Sequence, residues 1–233
     1  MATVMVLQHS TLQPAGLIEE ALLVNGHTLK CIHIEAGDTV AQAVDDCAGL
    51  VVLGGPMAVY EPDRFPHVGA EIALIRAYLT AQLPILAICF GSQLLAAALD
   101  TEVHPGPAKE FGWYDIHLSP EAAHDPLWQG IATPFKAFMW HGDSYDVPEG
   151  AVHLASSDRV PCHAYRMGTN VYGILFHPEV TPMILHEMVS DWGADLAAQG
   201  FDAGAIVHDS VQYLALQEAI GRTIFRHWVD LLP

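Results

Sequence analysis

The chain has 233 residues, 9 Lys plus Arg against 27 Asp plus Glu, and a formal charge of −18; 52% of its residues are hydrophobic and 15% are charged. That composition excludes a disordered chain, and the length allows one large core without staples. The few cations are scattered singly, which excludes a basic grip on nucleic acid or on an anionic membrane.

The first hundred residues alternate short apolar runs with helical patterns. Val4–Leu7 reads as a strand, and Ala15–Val24 as a helix that stops at Asn25-Gly26. Leu29–Ile34 alternates as a second strand. Val40–Cys47 is expected to be a short helix capped by Asp38 or Thr39. Leu50–Leu53 is a buried strand stopped by Gly54-Gly55-Pro56. Val68–Leu83 reads as a helix that Pro84 cannot continue. Ile85–Ile88 is another buried strand, and Phe90–Leu99 a helix. Strands apolar on both faces and separated by helices predict an α/β fold with a parallel sheet covered on both sides.

After residue 100 the expected strands are Phe111–Leu118, Lys136–Trp140, Val152–Ser156, Cys162–Arg166 and Val171–Phe176. Helices follow Pro182 and again near Ile206. In the last one, Val207, Val211, Leu214, Ile224 and Trp228 predict one packing face. We read residues 1–192 as one domain and 193–233 as a helical extension packed on it.

The four cysteines, Cys31, Cys47, Cys89 and Cys162, form no CxxC pair and suit a reducing compartment. Met1–Leu7 has no signal-peptide pattern. Leu83–Leu99 is broken by Pro84, Gly91, Ser92 and Gln93, so it cannot span a bilayer. A soluble, cytoplasmic protein is expected.

Three segments carry chemistry. In Ile85–Gln93 a buried strand runs through Cys89 into small residues and a helix. This is the pattern of a nucleophile elbow, with the positive helix end near the sulfur. Taken alone, a cysteine at a strand end is more often a small buried hydrophobe. Gly54-Gly55-Pro56 lets backbone N–H groups approach a ligand at the strand end where open sheets bind them. Gly55 and Phe90 N–H could there oppose each other as an oxyanion hole, although a Gly-Gly turn alone is an ordinary turn. In Gly173–Glu179, residues 177 and 179 are expected on one face of a strand, about 7 Å apart at Cα. Glu179 could then orient His177 to serve a thiol. The combination of nucleophile, base with orienter, and anion site carries more weight than any one of them.

At these residues the sequence resembles the class I glutamine amidotransferases. Gly54-Gly55-Pro56, the elbow Ala87–Gln93 and Phe176-His177-Pro178-Glu179 match the family's motifs in order, and the likeness covers about residues 3–190. Trp140–Asp143 and Pro105–Trp113 resemble the glutaminase domain of GMP synthetase and stand-alone proteins like it. Ala87 departs from the family's usual glycine, which implies a slightly altered turn. The resemblance implies a flavodoxin-like, open, mostly parallel sheet with helices on both faces. It implies hydrolysis of the glutamine side-chain amide by Cys89, His177 and Glu179, with Gly55 and Phe90 as oxyanion hole. Gln93, His141, Gly142 and Asp143 would hold the amino-acid end. No cofactor and no metal are expected, since no zinc spacing is present among the fourteen histidines.

No P-loop and no Ser-Gly-Gly pyrophosphatase loop is present. A synthetase that uses the ammonia would therefore be a separate subunit. The alternative is a free-standing hydrolase of γ-glutamyl peptides with water as acceptor, which the full-sized 193–233 region favours slightly. A non-catalytic binding relative is the third reading, opposed by the intact Cys89, His177 and Glu179. Lys109 stands out among the nine cations because it lies in a motif-matching loop.

Overall fold

The computed structural model describes residues 1–233. Its strands are β1 (Thr3–Gln8), β2 (Thr28–His33), β3 (Gly49–Val52), β4 (Ile85–Ile88), β5 (Val103–Leu118), β6 (Phe135–Tyr145), β7 (Val152–Ser156), β8 (Ala164–Met167) and β9 (Val171–Ile174). The helices are α1 (Leu17–Val24), α2 (Val68–Thr80), α3 (Phe90–Ala98), α4 (Pro182–Ala198) and α5 (Ala203–Val229). The nine strands form one open sheet in the order β2-β1-β3-β4-β9-β8-β7-β5-β6. The first five in that order run parallel, and the remaining neighbours pair antiparallel.

The parallel strands read as continuous apolar runs because both their faces are buried. Val4 and Val6 of β1 join a core that includes Leu17 and Ile18 of α1 and Phe225 and Trp228 of α5. Met5 and Leu7 face the opposite core, with Leu74, Ile75 and Tyr78 of α2 and Leu94 and Leu95 of α3. Alternation along the strand delivers successive side chains to opposite layers. No helix is long and apolar enough to cross a membrane.

Four expectations are corrected. Residues 40–47 form no helix; only a 3-10 turn at Ile34–Ala36 precedes them. Val40 and Cys47 are that segment's buried anchors. An eight-residue helix is marginal alone, and Asp45 and Asp46 would sit at its unfavourable, negative end. The packing face of α5 excludes Val207 and Val211, which are exposed, and runs instead through Ile206, Leu214, Gln217, Ile220, Ile224 and Trp228. α2 ends at Thr80, four residues before Pro84, and Gln82 turns the chain with φ 55°. β9 ends at Ile174, so His177 and Glu179 lie on a turn rather than on a strand.

Candidate active site

The C-terminal ends of β1, β3, β4 and β9 converge at one edge of the sheet. Cys89 caps α3 at the end of β4, with φ 51° and ψ −112°. A non-glycine residue in that region is strained, and the surroundings hold it there. Cys89 N–H donates to Ile174 O at 2.8 Å, and Cys89 O accepts from Ser92 Oγ at 2.6 Å. The helix then presses against β3: a Cβ on Gly91 would lie 2.1 Å from Val52 O, so only glycine fits. Cys89 Sγ lies 3.7 Å from Trp140 O.

Glu179 accepts from His177 Nδ1 at 2.7 Å, with the two side chains 2% and 0% exposed. Burial disfavours the charged imidazole. The Glu179 carboxylate and the adjacent Cys89 sulfur outweigh that, and the His177 pKa is raised to about 10. His177 Nε2 has no other partner, which leaves it for the cysteine side. The turn is tied from three directions. His177 N–H donates to Phe138 O at 2.9 Å, Leu17 N–H to Glu179 O at 3.1 Å, and Gln217 Nε2 to His177 O at 3.1 Å.

Gly54-Gly55 faces this pair across the edge. No backbone carbonyl accepts from Gly55 N–H. A Cβ on Gly55 would meet His9 Cβ at 2.6 Å. His9 braces the loop from beneath, with Nδ1 on Leu53 O and Nε2 on the buried Glu71, each at 3.1 Å. The Phe90 side chain packs in the core, and its N–H lies at the first turn of α3.

A cavity of about 580 Å³ opens above Cys89. Gly55, Gln93, His141, Gly142 and Asp143 all line it, so the structure brings these sequence-selected residues to one place. Asp143 accepts from Tyr60 Oη at 3.0 and 3.1 Å. Burial raises the Asp143 carboxyl above its ordinary pKa, against that hydrogen bond.

Sequence reasoning missed several residues. Tyr60, Trp192, Asp195 and Gln199 complete the cavity wall, and nothing local in the sequence marks them. Gln217 had a signal: a polar residue inside the apolar stripe of α5. Glu110, His141 and His163 were also missed as a group, because they come from β5, β6 and the bend just before β8. Their ligating atoms lie within 4.8 Å of one another, a donor set able to hold a divalent metal. The carboxylate is already occupied, by Ser157 Oγ at 2.7 Å and His163 Nε2 at 2.9 Å. His141 Nε2 approaches it at 3.2 Å without hydrogen-bond alignment. Burial pushes the Glu110 pKa up, but the histidine and serine contacts outweigh it and hold the carboxyl well below the usual range. His163 Nδ1 has no partner, whereas a metal-bound histidine normally donates from its other nitrogen. The set therefore fits a hydrogen-bonded brace better than a metal centre.

Residues 12–193 match the family model described as glutamine amidotransferase class-I. The chain is 31% identical over 196 residues to the glutamine amidotransferase-like protein YfeJ of Salmonella typhimurium, covering 82% of each. It is 30% identical over 262 residues to the glutamine-hydrolysing GMP synthase of Thermosipho africanus, covering 99% of this chain and 48% of that one. The chain thus spans about half the length of the GMP synthases it matches. A glutamine amidotransferase structure from Methylobacillus flagellatus superposes with a TM-score of 0.90 at 26% identity, covering 100% of this chain and 96% of that one. One from Thermotoga maritima superposes at 0.89 with 22% identity and 98% coverage of both.

Proposed function

The chain belongs to the glutamine amidotransferase class-I family, and on that premise we propose that it hydrolyses the side-chain amide of glutamine or of a γ-glutamyl compound. The observation that carries the reading is the meeting of the strained Cys89 with the buried His177–Glu179 pair.

In this reading His177, which its raised pKa keeps charged at neutral pH, already holds the thiol proton when Cys89 Sγ adds to the amide carbon. Gly55 and Phe90 N–H hold the oxyanion. His177 passes the proton to the leaving nitrogen as the C–N bond breaks, which leaves a γ-glutamyl thioester. Water, giving a proton to His177, then adds to the thioester. The C–S bond breaks and glutamate leaves, with the proton on His177 beside the freed sulfur. Glu179 keeps Nδ1 as the donor and stabilises the imidazolium. Gln93, His141, Gly142 and Asp143 hold the amino-acid end. Where ammonia is passed on, a separate synthetase subunit receives it. The four free cysteines support a cytoplasmic setting.

The test is ammonia release from glutamine by the purified protein, together with labelling of Cys89 by a glutamine-analogue alkylator. Full hydrolysis by Cys89→Ala would refute the mechanism.

A further inference from the structure

The cavity offers more room and more wall than glutamine uses. Even at a water's share of liquid volume, about 30 Å³ per heavy atom, glutamine fills roughly half of the 580 Å³. From Trp140, whose carbonyl lies beside Cys89 Sγ, an aromatic wall continues outward. Phe111 meets the Trp140 ring edge-on at 5.5 Å, and Trp192 tilts against it at 5.9 Å. Beyond the wall, Asp195, Leu196 and Gln199 close the rim. These three lie past residue 193, where the family match ends, so this part of the cavity is supplied by the chain's own continuation.

Charge adds a second, independent observation. The chain has three lysines. Lys30 and Lys136 are paired with Asp45 and Asp115. Lys109 enters no ion pair; its Nζ donates to the neutral Gln199 Oε1 at 2.6 Å. It is also the one lysine or arginine lining the cavity. Its stem crosses Gly142, where a Cβ would already stand 3.5 Å from Lys109 Cγ. In a protein of charge −18, an unpaired ammonium in a ligand cavity is placed to meet an anion.

We propose that the substrate is a γ-glutamyl-L-amino acid with an aromatic side chain, its ring against Trp140 and Trp192 and its terminal carboxylate on Lys109. The inference rests on the amide hydrolysis proposed above and identifies the leaving amine. Cys89 Sγ bonds to the γ-carbonyl carbon and the C–N bond breaks. The proton held by His177 goes to the nitrogen, and the free aromatic amino acid departs. Water then cleaves the thioester to give glutamate and frees the sulfur, with the proton again on His177.

The test compares glutamine, γ-glutamylphenylalanine, its C-terminal carboxamide and γ-glutamylalanine as substrates of wild type, Lys109→Met and Trp192→Ala. In wild type, kcat/KM for γ-glutamylphenylalanine is expected to exceed that for glutamine and for the carboxamide by about tenfold each, the scale of one charge-assisted contact. Lys109→Met should erase the preference for acid over carboxamide. Trp192→Ala should erode the preference for phenylalanine over alanine. Equal or better turnover of glutamine overturns the inference and leaves amide hydrolysis standing, as does an acid preference that survives in Lys109→Met. Failure to release any amine from all four compounds, with Cys89 unlabelled by the glutamine analogue, removes the hydrolysis reading and this inference together.

Discussion

Gly221→Ala tests how the C-terminal helix supports the site. Gly221 lies inside α5, and a Cβ there would stand 2.1 Å from Pro178 O, between His177 and Glu179. Ordinary contact begins at 3.4 Å, so helix and turn must separate by about 1.3 Å (3.4 − 2.1). If α5 lifts, the overpacking cost is about 1–3 kcal/mol, with Ile224, Phe225 and Trp228 dragged from the core. If the turn yields, His177 moves by about 1 Å, which can lower turnover about 100-fold. Helix propensity acts the other way, since alanine is better than glycine by about 1 kcal/mol. A clash with backbone rather than a flexible side chain places the cost at the upper end, for a net loss of about 2 kcal/mol. At about 2–4 °C per kcal/mol for a chain of this size, Tm should fall by about 4–8 °C. Thermal unfolding and amide-hydrolysis kinetics on the same preparation measure both effects. A variant with higher Tm and undiminished kcat would refute the close approach of α5 to the turn.

Cys89→Ala and Cys89→Gly should both lose hydrolysis, but the glycine variant should be the more stable by about 1 kcal/mol in urea unfolding, because it relieves the positive φ. Glu179→Gln should flatten the pH dependence of stability. The His177 pKa is raised to about 10 in the fold against about 6.5 unfolded, so its contribution is complete below pH 6.5 and is lost as pH rises toward 10. Wild type should lose stability across that window, and the variant should lose much less. Glu110→Gln should cost about 1.5–3 kcal/mol at neutral pH by removing charge-assisted contacts to His141 and His163. The Glu110 pKa is lowered, so its contribution is present above the unfolded carboxyl value and is lost as pH falls below it. The acid limb of the unfolding curve should therefore be shallower in the variant. Gly55→Ala should slow acylation of Cys89 by at least about tenfold, because its Cβ cannot coexist with His9 Cβ at 2.6 Å; labelling at the wild-type rate would argue against the oxyanion assignment.

The parallel half of the fold was legible in the sequence because burial on both faces leaves an unmistakable mark: runs such as Met5–Leu7 and Ile85–Ile88 have no polar face to hide. The elbow was legible for a related reason. A strand, a small-residue turn and a helix are all local, and Cys89 and Gly91 are forced by contacts with β3 and the elbow's own bonds. Local pattern misled where acidic residues end a weak helix, at Val40–Cys47. It misled again in α5, where Val207 and Val211 fit the period but meet no partner. The pairing of His177 with Glu179 was anticipated, but its geometry was not: the chain leaves the sheet at Ile174, and the two meet across a turn. Only the tertiary structure decided what holds that turn and what lines the cavity above Cys89. Gln217 and Gly221 reach it from about forty residues downstream. Glu110, His141 and His163 meet from two strands and a bend, and Lys109 finds Gln199 across 90 positions. Cys89 sits directly at a strand end, where backbone geometry determines its place locally. The walls and braces are contacts between distant segments, and no local period in a sequence records which segments will meet.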